Sequence, residues 1–237
     1  MPTTSIALTE TPDIHTLLSL ADDALILGHR TSEWTGRAPV LEEELALANI
    51  ALDLIGQARA LYQAAGALSG HTEDELAYLR DPHQFRNALI MELPNGDFAF
   101  TIARLFFVSV ASDQRWRAGS ADSALSAVAA KAMKETTYHV RHSAEWLIRL
   151  GDGTEESHRR AQEAVDMLWA YTGEITEDAA RAPWLAAVAP VLSRATLRQP
   201  GDGWMQGGGR AGRHTEHLGP LLAEMQILPR SFPGASW

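Results

Sequence analysis

The chain has 237 residues, enough for one domain with a substantial core, and no break in composition marks a second. Its formal net charge of −10 at pH 7 would repel a phosphate backbone, which argues against nucleic-acid binding. The lack of cysteine excludes disulfides, thiol catalysis and cysteine-ligated iron–sulfur clusters, so any electrons the chemistry needs must come from another protein.

The first residues, MPTTSIALTETPDIHT, have neither a basic start nor an apolar run. No later stretch approaches the ~20 uninterrupted apolar residues of a membrane span, which predicts a soluble, cytoplasmic protein. Residues 1–12 read as a flexible tail ahead of a single domain over 13–237. Ala- and Leu-rich periodic segments alternate with Gly, Pro and Asp, and alternating β-branched runs are nearly absent, so the fold class is all-α. Helices are predicted over 13–34, 40–68, 97–118, 121–150, 154–181 and 214–229, with shorter ones near 72–80 and 183–194. Short links between long helices favour an antiparallel bundle.

The second helix opens after Pro39 with Glu42, Glu43 and Glu44, where negative charge suits the helix dipole. Its stretch LALANIALDLIGQAR, residues 45–59, is apolar or small almost all the way round, the pattern of a helix buried on several sides. Asn49, Asp53 and Gln57 interrupt it at i, i+4 and i+8 and stack along one face. A buried carboxylate there requires a cationic or metal partner, either in a hydrogen-bonded ion pair or in a ligand set.

In KAMKETTYHVRHSAEWLIRL, residues 131–150, the apolar stripe runs through Ala132, Met133, Val140, Ala144 and Leu147. Glu135 and His139 lie at the stripe's edge and can reach a bundle interior, while Lys134, Arg141 and Glu145 read as a solvated face. A bundle di-iron site needs a Glu from each of two helices and a Glu-x-x-His from each of the other two. Here Glu135 is followed at i+3 by Tyr138, and Asp53 by Gly56, so neither place supplies the imidazole. The literal Glu-x-x-His, Glu155 to His158, falls in the polar start of a helix after GDGT and reads as capping.

GGGRAG, residues 207–212, matches G-x-G-x-x-G formally but follows no strand, so a dinucleotide reading lacks its context. The surrounding Gly-rich segment carries Arg210, Arg213 and His214, candidates for contact with a partner or an anion, against the simpler reading of a flexible connection. In HTEH, Thr215 or His214 is a candidate helix cap. Most of the seven tryptophans should be core, with some at a subunit interface.

The strings LEEELALANIALDLIGQARAL, ELPNGDFAFTIARLFF, KETTYHVRHSAEWLIRLGDGT and HTEHLGPLLAEMQ closely resemble the C-subunit (PaaC) family of bacterial ring-1,2-phenylacetyl-CoA epoxidases, over roughly residues 18–237. The resemblance implies a ferritin-like bundle and membership of an oxygenase complex of aerobic phenylacetate degradation. It implies an A subunit holding the di-iron centre and the substrate, and a reductase subunit with flavin and an iron–sulfur cluster. It implies no catalytic residue, metal or cofactor in this chain, which would pair with the A subunit and is a candidate for contact with other subunits or with itself. Asp53, Gly56, Glu135, Tyr138 and His139 would then be remnants of a di-iron site. Asn49, Asp53, Gln57, Lys131 and Glu135 would form a buried polar network in which a cation, Lys131 or an arginine, replaces part of the metal's charge. The alternative is a self-sufficient di-iron oxygenase using Asp53, Glu135, His139 and His142 irregularly. A CoA-ester binding module built on residues 200–214 is a third reading.

Overall fold

The computed structural model describes residues 5–119 and 126–235, together with the backbone but not the side chains of Gly119, Ala127 and Asp178. The described residues contain α-helices and short 3-10 turns and no strand. The helices are α1 Pro12–Ser32, α2 Leu41–Ser69, α3 Glu73–Tyr78, α4 Leu89–Glu92, α5 Phe98–Gly119, α6 Ser126–Gly151, α7 Glu155–Trp169, α8 Arg181–Arg194 and α9 Leu218–Ser231. None is long and apolar enough to cross a membrane. The all-α helical class is as expected; the first residues of the helix predicted over 121–150 lie outside the described residues.

Local signals set the helix starts. Thr72 caps α3, its hydroxyl accepting from Glu75 N at 3.2 Å while Glu75 Oε2 accepts from Thr72 N at 2.8 Å. Asp97 Oδ1 caps α5 by accepting from Phe100 N at 2.9 Å. Thr154 and Ser157 make the reciprocal cap of α7, so the Glu155–His158 pair sits in a capped first turn, with His158 Nδ1 2.7 Å from Gly151 O.

Packing divides the chain into two compact units, residues 1–30, 54–94 and 208–237 in one and 31–53 and 95–207 in the other. In the second unit α5 is the central helix. Residues 99–111 are buried without interruption, so α5 is the helix enclosed on all sides, packed against α6, α7 and α8. Phe107, Trp169 and Trp184 form an aromatic cluster beside it with centroids 5.4–5.7 Å apart. Arg181 stacks on both tryptophans and pairs with Asp202.

This cluster explains why the helix expected over 154–181 stops at Trp169. Thr172 Oγ1 donates to Trp169 O at 2.7 Å and Thr176 Oγ1 to Thr172 O at 2.7 Å, competing with helical bonding. Arg181 Nη1 then donates to both hydroxyls, at 2.8 and 3.1 Å, and holds the turn.

The first unit has a different centre. Arg80 and Asp22 are completely buried and paired, Tyr62 is buried beside them, and Phe85 lies 4.2 Å from the guanidinium carbon. Residues 5–11 are tied to this unit through Ile6 N donating to Leu79 O at 3.1 Å and through Glu10 paired with Arg86 at 2.5 Å.

Candidate functional site

Two places gather the residues singled out in the sequence. The first lies within the second unit, where α2 meets α6. His139, almost wholly buried, places Nε2 3.0 Å from Asp53 Oδ2, so the carboxylate that required a partner has an imidazole. Lys131 Nζ lies 3.3 Å from Glu135 Oε1, one turn along the same helix. His142 Nε2 lies 3.2 Å from Glu43 Oε2, both atoms buried, but the approach is not aligned as a hydrogen bond. The Tyr138 ring stacks on His142 at 5.8 Å and is partly exposed, with the Arg141 guanidinium carbon 5.7 Å from its centroid.

The five residues expected to share one buried network have different environments. Gln57 is buried, Asp53 and Glu135 are partly buried, and Asn49 and Lys131 face solvent. The cause is the placement of α2: Leu47, Ile50, Ala51 and Leu54 form its buried face, while Leu41, Leu45, Asn49 and Leu52 lie on the outside. Gly56 is partly buried on the same helix. Lys134, Arg141 and Glu145 of α6 are solvated, as their spacing indicated.

Sequence spacing missed Glu43, which was assigned only to the helix dipole. Its signal was positional: it falls one turn before Leu47 on the buried face, whereas Glu42 faces solvent and Glu44 is only partly covered.

Among the described residues no group of three or more His, Cys, Asp or Glu side chains is arranged to hold a metal ion. Asp53 and His139, the carboxylate and imidazole best placed to serve a metal, are directed at each other, and Glu135 is directed at Lys131. These residues therefore do not fit a di-iron centre, which takes four carboxylates and two imidazoles.

The Glu43–His142 pair has a consequence for pH. Burial lowers the His142 pKa below its ordinary 6.5, Glu43 and Glu145 oppose that shift, and His139 and Arg149 add to it. Between the lowered value and 6.5 the unfolded chain binds more protons at His142 than the folded one. The stability His142 contributes is thus present above pH 6.5 and lost as pH falls through the folded pKa. His142→Gln should lose less stability than wild type between about pH 7.5 and pH 5.5, read as urea midpoints. Equal acid sensitivity in both proteins would remove this role from His142.

The second place is the Gly-rich segment, from residue 208 onward, within the first unit. Arg210 pairs with Asp23 at 2.7 Å and donates to Ser19 O and Arg86 O at 3.1 and 2.8 Å. His214 Nδ1 lies 2.8 Å from Glu92 Oε2, and Thr215 N donates to Glu92 Oε1 at 2.6 Å. Arg210 and His214 are therefore turned inward, and Arg213 faces solvent. Gly209 and Gly212 make this docking sterically feasible. A Cβ would stand 2.2 Å from Asn87 O at the first and 2.2 Å from His83 O at the second, where φ is +73°. Because His214 and Thr215 are drawn to Glu92, neither caps α9, which starts at Leu218 instead of 214. The sequence signal for this arrangement was the Asp22–Asp23 pair in the otherwise apolar stretch SLADDALIL, which demanded buried cations.

A family model described as phenylacetic acid catabolic protein matches residues 1–237. The C subunit of 1,2-phenylacetyl-CoA epoxidase from Escherichia coli (strain K12) is 46% identical over 245 aligned positions, which cover 93% of this chain and 97% of that protein.

Proposed function

The chain belongs to the phenylacetic acid catabolic protein family, and from that membership we propose that it is the non-catalytic structural subunit of a multicomponent phenylacetyl-CoA epoxidase. Likeness to the C subunit of such an epoxidase, across nearly the full length of both chains, supports its place in the complex. The observation that carries the non-catalytic role is the Asp53–His139 contact at 3.0 Å, where a carboxylate and an imidazole satisfy each other in place of a metal. Oxygen activation then belongs to an A subunit that holds the di-iron centre and the substrate. A reductase subunit with flavin and an iron–sulfur cluster supplies the electrons, and the complex works in the cytoplasm. This chain's task is to keep the catalytic bundle folded and oriented.

Iron analysis tests the reading. Protein expressed alone with ample iron and purified without chelators should contain far less than one iron per chain and show no epoxidase activity by itself. A content near two irons per chain would instead establish a self-sufficient di-iron oxygenase with an irregular ligand set.

A further inference from the structure

We propose that the outer face of α2 between Leu41 and Leu52 is the surface on which the catalytic subunit docks; this rests on the function proposed above. Leu41, Leu45 and Leu52 are 67%, 57% and 66% exposed, and Val40 just before the helix is 49% exposed. Their spacing, with Ala48 between, is i, i+4, i+7 and i+11, so they line one stripe about 18 Å long. That stripe lies opposite the buried face formed by Leu47, Ile50, Ala51 and Leu54. A helix apolar on both sides is the pattern of an element covered on both sides, yet the described residues cover only one. Isolated exposed leucines need no explanation, whereas a row of three on one helix face marks a binding surface.

The charges beside the stripe choose the occupant. Glu42 and Glu44 flank its start and Asp53 its end, and no Lys or Arg occurs between Arg37 and Arg59. Packing this stretch of α2 against a second copy of itself would set carboxylates against carboxylates, with no basic side chain of the stretch to answer them. A different protein meets the need if it offers an apolar helix face with Arg or Lys at its rim. Around the stripe a stable interface of ~800 Å² per partner must extend further, and the exposed Tyr138 of α6, in the same unit, lies on the side where α6 pairs with Asp53. The stripe supplies the apolar centre, where a few side chains carry most of the affinity.

The experiment mixes the purified full-length chain with the purified catalytic subunit of the same organism's epoxidase and measures Kd at low and high salt. Leu45→Glu with Leu52→Glu should weaken binding at least about 30-fold, and Met167→Glu, the same kind of apolar-to-carboxylate change at one exposed site of α7, should leave it within about 3-fold. Wild-type affinity should fall as salt rises, since the rim contacts are ionic. Circular dichroism and size-exclusion chromatography establish that the double variant is folded, which its solvent-facing positions favour. If the double variant binds as tightly as wild type, or if Met167→Glu weakens binding equally, the surface assignment is overturned. The same holds if the chain alone is a dimer that the double variant splits, because the occupant is then a second copy. Failure of the wild-type pair to bind at all overturns the functional reading itself.

Discussion

Replacing Arg80 with methionine should destabilise the protein by about 3–5 kcal/mol and lower its melting temperature on the order of 10 °C. Every polar hydrogen-bonding group in this centre is accounted for. Arg80 Nε donates to Leu76 O at 2.5 Å, Nη1 to Asp22 Oδ2 at 3.0 Å and Gln84 O at 2.9 Å, and Nη2 to Asp22 Oδ1 and to Tyr62 Oη at 3.1 Å. Asp22 also accepts from Tyr62 Oη–H at 2.5 Å and from Arg86 N at 2.7 Å. Burial and the adjacent Asp22 charge raise the Tyr62 pKa well above its ordinary value, so the phenol stays a donor.

The pair itself is not where the large effect arises, because burying two charges costs about what their attraction returns. The effect comes from stranding one of them. With Arg80 gone, Asp22 is a carboxylate with no solvent exposure and no cation. Two further variants separate these contributions. Arg80→Lys keeps the charge but loses the planar fork that spans Asp22, Tyr62 and two carbonyls, so it should recover only part of the loss. Asp22→Leu combined with Arg80→Met removes both charges and should be clearly more stable than Arg80→Met alone. A single variant that melts within about 2 °C of wild type, or a double variant worse than the single, would show that the network does not hold the first unit in this way.

The parts of this fold that were legible in the sequence are those set by signals one turn apart. Pro39 with three glutamates, Asp97, and Thr154 each mark a helix start that the structure places within a residue or two. What was not legible depends on partners distant in the chain. The end of α7 follows from Arg181 and Asp202 closing over Trp169, a contact that no window around Thr172 reveals. Apolar periodicity marks α2 as enclosed, yet α5 holds that position; composition around a helix reports that its faces will be covered and does not say by which chain. At the α2–α6 site, spacing correctly denied an imidazole at i+3 of Asp53 and Glu135. It could not show that His139 would cross to Asp53 on another helix and leave Glu135 to Lys131. The Gly-rich segment looked mobile because glycine frequency reports conformational freedom, while here two of the glycines serve close approach.

That close approach gives the second large effect. Gly209→Ala should destabilise the protein by about 3 kcal/mol and release the segment that follows it. Gly209 is buried, and an added Cβ would meet Asn87 O at 2.2 Å and Leu89 N at 3.2 Å, both backbone atoms that cannot rotate away. Either those stretches of backbone separate or the segment lifts. Lifting removes Arg210 from Asp23 and His214 from Glu92, so two carboxylates that are 9% and 0% exposed lose these contacts and keep, outside the segment, the donors Ala88 N and Asn87 Nδ2 respectively. The penalty therefore exceeds that of one misplaced methyl group, because the steric contact, the Arg210–Asp23 ion pair and the His214–Glu92 contact act through the same segment. Gly201→Ala provides the comparison, since a Cβ there meets nothing within 4 Å, and it should melt as wild type does. Trypsin reads the structural half of the prediction: Arg210 is tied down in the folded protein, so cleavage after it should be slow in wild type and in Gly201→Ala and fast in Gly209→Ala. If Gly209→Ala instead keeps both the wild-type melting temperature and the slow cleavage, the Asn87 backbone gives way at little cost. The segment would then be held by Arg210 and His214 alone, a result that Arg210→Met would extend by releasing what the alanine did not.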